Sequence, residues 1–141
     1  PGIYAADRLP LAQLRRGTPV LAAEDDVYTN HIHADDLATV ITVGLSLGEG
    51  VYNASDDSEI KMGEYFDLVA ERTGLPRLPR VRRAEAGVRI SPVLLSFMSE
   101  SRRLVNRRMK AELGIRLRYP TVREGVPQGR GPARLTHSTV T

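Results

Sequence analysis

Two histidines and two acids lie close together in the stretch Asn30-His31-Ile32-His33-Ala34-Asp35-Asp36. Imidazole and carboxylate groups can bind metal ions, transfer protons or hold a substrate. On a strand His31 and His33 point to the same face, which suggests a zinc or iron site. However, His-x-His lacks a third ligand at a defined spacing. We therefore favour the alternative that one histidine packs against a sheet while an Asp caps a helix, and we predict no metal.

A strand that runs directly into a helix would position these residues. Val27–His33 alternates well enough to be a strand and is rich in β-forming residues. From Asp35 onward the apolar period changes to that of a helix, which Asp35 or Asp36 can cap. The predicted apolar stripe of this helix consists of Leu37, Val40, Ile41 and Leu45.

Other segments surround this junction in an order typical of α/β packing. Gly17 and Gly74 suit helix ends, Ser91-Pro92 suits a helix start, and Thr121 and Glu124 have capping-box spacing. The predicted strands are 1–4, 18–21 at a sheet edge, and 51–54. The other predicted helices are 9–16, 62–73, one after Ser91 and a short one between Asn106 and Gly114. The apolar side of helix 62–73 would consist of Met62, Tyr65, Phe66 and Val69. The apolar side of the helix after Ser91 would consist of Val93, Leu94, Phe97 and Met98.

The composition divides the chain into three parts. Residues 1–75 read as the end of an α/β unit, and 76–125 as a helical segment that follows a basic, proline-containing connection. From residue 126 the chain turns to Gly, Pro, Arg, Ser and Thr without periodicity. We predict that 126–141 is a disordered tail.

Charge and composition exclude several classes of protein. No apolar run approaches the roughly 20 residues of a membrane-spanning helix, and there are no cysteines, which fits a cytoplasmic protein. Residues 1–76 carry a net charge of −8 and residues 77–141 a net charge of +11. The basic half suggests nucleic acid. Its only aromatic residues are Phe97 and Tyr119, too few for base stacking, so we disfavour that partner.

Four stretches, in order, resemble the C-terminal part of an extended short-chain dehydrogenase/reductase of the NAD-dependent epimerase/dehydratase family. Residues 1–4 (PGIY) resemble its R-x-P-G-x-Y-G segment, although Ala5 replaces the last glycine. Residues 30–38 (NHIHADDLA) resemble its F-I-H-V-D-D-V-A signature, and 51–56 (VYNASD) resemble V-Y-N-V-G-D. Residues 109–125 (MKAELGIRLRYPTVREG) resemble its closing segment. The implied fold is the C-terminal portion of a Rossmann-type parallel sheet with a mostly helical substrate-binding cap.

The resemblance also shows which family motifs do not occur in these 141 residues. The family holds NAD or NADP through a glycine-rich turn and catalyses proton transfer with a Tyr-x-x-x-Lys pair. Neither motif is present, because no tyrosine is followed four residues later by lysine. We therefore assign no catalytic residue to the chain, and we expect Pro1 to lie just downstream of a cofactor half. The absence of an initiator methionine fits a fragment, a processed product or a trimmed chain.

By family resemblance, Pro1, Gly2 and Ile3 would lie beside the nicotinamide. Tyr4, Asn30 and His31 would contact the substrate, while His33 and Asp36 would be structural. Arg102 and Arg103 follow a helix rich in small polar residues, in a region that supplies cations to a diphosphate in nucleotide-sugar epimerases. The competing expectation is that these arginines are solvated.

The resulting hypothesis is the substrate-binding part of an NAD(P)-dependent epimerase, dehydratase or reductase acting on a sugar nucleotide or another small hydroxy or carbonyl compound. Its partners would be that substrate and the cofactor half, without which we expect the segment to be inert and prone to association, including homo-oligomers. The alternative is a non-catalytic binding or regulatory module with the same framework.

Overall fold

The computed structural model describes residues 2–129, in which short strands alternate with helices. The strands are β1 (Gly2–Tyr4), β2 (Val20–Leu21), β3 (Tyr28–Thr29), β4 (His31–His33), β5 (Ile60–Lys61) and β6 (Arg80–Val81). The helices are α1 (Leu11–Arg16), α2 (Ala34–Leu47), α3 (Met62–Thr73), α4 (Arg83–Ala86), α5 (Pro92–Phe97), α6 (Arg107–Leu113) and α7 (Val122–Gly125). None of these helices is both long and apolar enough to cross a bilayer.

Parallel pairing relates segments that are distant in the sequence. β1 pairs with β4 in parallel, with Gly2 opposite His31 and Tyr4 opposite His33. β2 pairs in parallel with β6, and β3 pairs antiparallel with β5. The predicted mixed α/β fold with parallel strands is confirmed.

Local signals place the helix ends correctly. Gly17, Gly74 and Gly114 adopt left-handed conformations directly after α1, α3 and α6, as expected for residues without a Cβ. The Ser91 hydroxyl accepts a hydrogen bond from the Leu94 N–H at the start of α5. Thr121 and Glu124 form the predicted capping box of α7.

The structure corrects the prediction of how α2 begins. Neither Asp35 nor Asp36 is the N-cap; His33 occupies that position, and its Nδ1 accepts from the Asp35 N–H at 3.1 Å. A carboxylate is not needed there, because an unprotonated imidazole nitrogen accepts the same hydrogen bond.

Three strand predictions also change. The strand predicted over 27–33 is interrupted at Asn30, so that β3 and β4 pair with different partners. The predicted strand 51–54 is wrong: these residues are irregular, and a backbone bond from the Asp56 N–H to the His31 carbonyl oxygen follows them instead. The connection around Pro79 contains β6, which sequence periodicity did not reveal.

Two apolar clusters hold these elements together. The larger joins Tyr4 of β1 and the inner face of α3 to residues of the predicted cap segment, including Met98 and Val122. The smaller packs Ile32 and α2 against α6. Burial therefore links residues on both sides of the predicted boundary at 75/76, which stays a prediction.

The start of the predicted tail packs on this framework. Val126 is buried, and the Gly129 N–H donates to the Arg72 carbonyl oxygen at 2.6 Å. The remainder of the predicted tail, 130–141, lies outside the described residues, as does Pro1.

Candidate functional site

A cavity of about 560 Å³ opens beside the first residues of β1 and β4. This volume is within the range of small-molecule sites. The lining residues come from the strand junction, from α3, and from α5 with the segment after it: Gly2, Tyr28, Thr29, Asn30, His31, Met62, Tyr65, Phe66, Ser96, Phe97, Glu100 and Arg102.

Gly2 keeps one end of the cavity open. Its N–H donates to the Asn30 carbonyl oxygen at 2.6 Å, which holds the backbone against the start of β4. A Cβ at this position would lie 3.3 Å from Nδ1 of His31, so a larger side chain would displace the imidazole. The next side chain, Ile3, is 45% exposed but does not line the cavity, because successive side chains of a strand point to opposite faces.

His31 lines the cavity as a neutral imidazole. Its Nε2 lies 2.8 Å from the Thr29 hydroxyl, and its ring packs against Tyr65 with 4.3 Å between centroids. Burial lowers the pKa of His31 to about 4, because a charged imidazolium would lose its hydration there. At neutral pH the side chain therefore contributes no charge to the cavity.

Asn30 attaches the segment 101–104 to the cavity edge. Its Nδ2 donates to the Arg102 carbonyl oxygen at 3.0 Å, and its Oδ1 accepts from the Leu104 N–H at 2.8 Å. On the preceding strand the Tyr28 N–H donates to the Ser101 hydroxyl, and the Tyr28 carbonyl accepts from the Arg102 N–H. The amide of Asn30 thus continues the pairing of β3 with this segment, at the point where the strand is interrupted.

The inner wall is aromatic and apolar. Met62, Tyr65 and Phe66 project from the first five residues of α3, and Phe97, at the end of α5, is 68% exposed. Burial raises the pKa of Tyr65 to about 12, and its hydroxyl is protonated at neutral pH, as that of an ordinary tyrosine also is. Sequence periodicity identified these side chains as core positions; the polar tip of Tyr65 on an otherwise apolar face was the one available signal for a site.

The charges at the cavity edge are already paired. Arg102 lines the cavity and forms an ion pair with Glu100, another lining residue. Arg103 is not among the lining residues: its guanidinium lies 4.9 Å from the centre of the Tyr28 ring, and the residue lines a neighbouring cavity of about 260 Å³. The structure thus separates the two arginines that the sequence grouped together.

Tyr4 and His33 lie behind the cavity rather than in its wall. Tyr4 is 1% exposed, and its hydroxyl donates to the Thr121 carbonyl oxygen at 3.3 Å. His33 stacks on Tyr119 with 3.9 Å between ring centroids. Within residues 2–129 no group of three His, Asp or Glu side chains is arranged to hold a metal ion.

Two buried carboxylates complete the surroundings. Asp36 accepts hydrogen bonds from the N–H groups of Arg118 and Tyr119 at 2.8 and 2.9 Å. Asp56 accepts from the Ser58 N–H through Oδ1, whereas its buried Oδ2 has no partner in the described part of the chain. Burial raises the pKa of Asp56 to about 6. This burial was not predicted, because adjacent acids such as Asp56 and Asp57 are typical of a solvated turn.

Comparison with known proteins identifies longer chains that contain the fold of this one. No protein-family model and no curated protein matches the chain. A conserved protein of unknown function from Silicibacter pomeroyi is 34% identical over 88% of this chain, with a TM-score of 0.75. The chain spans 44% of the length of that protein.

Two further structures share the fold at lower identity. The human epimerase family protein SDR39U1, solved with NADPH, is 18% identical with a TM-score of 0.69 and matches 87% of this chain and 43% of its own. MoeE5, solved in complex with UDP-glucuronic acid and NAD, is 21% identical with a TM-score of 0.59 and matches 88% and 42%. The chain therefore has the fold of the C-terminal part of an extended short-chain dehydrogenase/reductase of the NAD-dependent epimerase/dehydratase type, as its sequence motifs predicted.

Proposed function

We propose that this chain is the substrate-binding part of an NAD(P)-dependent epimerase, dehydratase or reductase that acts on a sugar nucleotide or another small hydroxy or carbonyl compound. The cavity between the β1–β4 junction, α3 and α5 carries this proposal, because it combines a drug-sized volume with a few convergent polar groups. Structures of the same fold with NADPH, or with NAD and UDP-glucuronic acid, support it.

In this proposal the residues of this chain contact the nicotinamide end of the dinucleotide. Because Gly2 has no side chain, its backbone would be accessible to the cofactor at the cavity. The exposed Ile3 would offer apolar contact to the nicotinamide ring. The glycine-rich turn that holds the pyrophosphate in this fold does not occur in the 141 residues. The bound nicotinamide would supply hydride transfer, while Asn30 and His31 would orient the substrate and Tyr65 would offer a protonated hydroxyl.

Cofactor titration of the full-length protein tests the proposal. We expect the protein to bind NADH or NADPH. Gly2→Val should weaken this binding by about tenfold, because the added side chain would push the His31 imidazole into the space of the nicotinamide ring. The matched control is Gly44→Val, because nothing lies within 4 Å of a Cβ at Gly44. Fluorescence of the reduced nicotinamide reports the binding, and circular dichroism checks that both variants fold.

A folded full-length protein that binds neither coenzyme would contradict this function and favour the non-catalytic module. The coding frame upstream of Pro1 gives a second test, since the proposal requires a glycine-rich turn and a Tyr-x-x-x-Lys pair there. A cytoplasmic location is part of the proposal, supported by the absence of cysteine, and fractionation would check it.

A further inference from the structure

The two ring nitrogens of His31 have different surroundings. Nε2 lies 2.8 Å from the Thr29 hydroxyl oxygen, and this is the one hydrogen bond of the ring within residues 2–129. Nδ1 lies on the side of Gly2, where an added Cβ would come within 3.3 Å of it. Gly2, Thr29 and His31 all line the cavity, so a molecule that binds beside Gly2 would meet the Nδ1 edge of the ring.

Packing and hydrogen bonding together fix the orientation of this ring. His31 is 6% exposed, and its ring packs against that of Tyr65 with 4.3 Å between centroids. The ring of Tyr4 lies 6.5 Å away at an angle of 73°. Because the carbon and nitrogen atoms of imidazole are similar in size, these contacts fix the plane of the ring, whereas the Thr29 hydroxyl determines which edge carries Nε2.

The ring carries a single hydrogen on nitrogen at neutral pH. Burial lowers the pKa of His31 to about 4, so the imidazole is neutral. In a neutral imidazole one nitrogen donates and the other accepts, and the hydrogen bond of one nitrogen sets the role of the other. The bond to Thr29 therefore decides whether Nδ1 donates or accepts.

The hydroxyl proton of Thr29 favours one of the two tautomers. If Thr29 donates to Nε2, its proton has an acceptor within the protein, and the imidazole hydrogen is on Nδ1. In the opposite arrangement Nε2 donates to Thr29, and the hydroxyl proton has no acceptor among residues 2–129. A donor that loses its partner when a bound molecule excludes water costs free energy, so the first arrangement suits an occupied cavity.

We propose that Thr29 is a positioning residue that holds His31 in the tautomer with its hydrogen on Nδ1, and that this N–H donates to a carbonyl oxygen of the bound coenzyme or substrate. The inference rests on the proposed function, in which Gly2 lies at the nicotinamide end of the cavity. Both the carboxamide of nicotinamide and the carbonyl of a ketone are neutral acceptors. A buried N–H discriminates against an analogue that lacks the acceptor, because it is then left unpaired.

Nitrogen NMR of the full-length protein labelled with 15N-histidine tests the tautomer without any ligand. The His31 signals are assigned by their loss in His31→Gln, and we expect them to show a protonated Nδ1. Thr29→Val keeps the shape of the side chain but removes the hydroxyl, so it should increase the population with the hydrogen on Nε2. Thr29→Ser restores the hydroxyl and should restore the wild-type tautomer. Thr39→Val makes the same change at an exposed position of α2 that does not line the cavity, and it should leave the tautomer unchanged.

Binding measurements test what the N–H recognises. The first probes are NADH, NADPH and their thionicotinamide analogues, in which sulfur, a weak acceptor, replaces the carboxamide oxygen. If the carboxamide is the acceptor, the wild type should bind the natural coenzyme roughly fivefold more tightly than its analogue, and Thr29→Val should reduce this ratio to about twofold.

A second pair of probes distinguishes the substrate as the source of the carbonyl. These are cyclohexanone and methylenecyclohexane, which has the same shape without the oxygen, titrated into the coenzyme-loaded protein by ligand-observed NMR. If a substrate carbonyl is the acceptor, Thr29→Val should weaken cyclohexanone binding by about threefold and leave methylenecyclohexane binding unchanged. Thr29→Ser should bind both compounds as the wild type does.

A wild-type His31 with its hydrogen on Nε2 would overturn the inference, as would a tautomer that is the same in Thr29→Val and Thr39→Val. So would a Thr29→Val protein in which neither the coenzyme ratio nor the cyclohexanone affinity changes. Failure of the folded wild type to bind either coenzyme refutes the proposed function instead. The tautomer and the cyclohexanone affinity, then measured on coenzyme-free protein, still decide for or against the donor.

Discussion

Replacement of Asp36 should destabilise the protein far more than replacement of its neighbour Asp35. The Asp36 carboxylate is 3% exposed and accepts hydrogen bonds from the backbone N–H groups of Arg118 and Tyr119, which lie more than 80 residues away in the sequence. Hydrogen bonds to a charged group contribute about 1.5–3 kcal/mol each. Asp36→Ala removes both acceptors at once, so we expect the free energy of unfolding to fall by about 3 kcal/mol.

Two related variants calibrate that value. Asp36→Asn keeps one acceptor oxygen, so about half of the loss should remain. The Asp35 side chain is 63% exposed, and His33 Nδ1, 3.8 Å from its carboxylate, gives it no ion pair because that nitrogen accepts the hydrogen bond of the Asp35 N–H. Asp35→Ala should therefore change the free energy of unfolding by no more than about 0.5 kcal/mol.

Urea denaturation of the full-length protein, with the slope of the transition compared among variants, measures these differences. Hydrogen exchange at the Arg118 and Tyr119 amides should accelerate in Asp36→Ala and not in Asp35→Ala. If Asp36→Ala falls within 0.5 kcal/mol of Asp35→Ala, the two backbone hydrogen bonds do not hold the C-terminal segment, and the structural role assigned to Asp36 is wrong.

Three other predictions follow from buried groups. A Cβ on Gly125 would lie 2.7 Å from Cζ of Tyr4, so Gly125→Ala should lower the free energy of unfolding by about 2 kcal/mol. If the effects of Gly125→Ala and Tyr4→Leu on the free energy of unfolding simply add in the double mutant, the two residues do not clash and the prediction is wrong. The raised pKa of Asp56 favours its protonated form in the folded state, so the free energy of unfolding should fall as the pH rises from about 4 to about 6. Between pH 4.5 and 7.5 the free energy of unfolding of Asp56→Asn should therefore rise by about 2 kcal/mol relative to that of the wild type. A difference between the two proteins that does not change with pH would refute this prediction. The ring protons of His31 should titrate in NMR with a pKa well below the usual 6.5, and a normal value would show that the imidazole is hydrated.

The sequence predicted features that depend on neighbouring residues. Gly74 ends α3 and Ser91 begins α5 where expected, because a left-handed glycine and a hydroxyl cap act within one helical turn. The prediction of the apolar face of α3 was also correct, because the spacing of apolar residues along a helix indicates which side is buried.

Features that depend on distant partners were not predictable in the same way. Ile41 and Leu45 complete the apolar period of α2 but are 55% and 85% exposed, because periodicity identifies a face and not what covers it. β6 exists through its pairing with β2, and nothing near Arg80 in the sequence specifies that partner. The pairing of Arg102 with Glu100 depends on side-chain directions that a run of charged residues does not reveal.

The polar junction from Asn30 to Asp36 shows why clustered polar residues indicate a site without identifying its chemistry. Asn30 bonds the backbone of Arg102 and Leu104, His33 caps α2, and Asp36 bonds the backbone near Tyr119. Each side chain satisfies N–H or C=O groups of irregular segments or helix ends, which would otherwise be costly to bury. These hydrogen bonds hold the segment after α5 and the C-terminal segment around His31, so the junction determines the shape of the cavity. The surface that a substrate would contact is largely apolar and comes from α3 and α5, where the sequence showed only a core pattern.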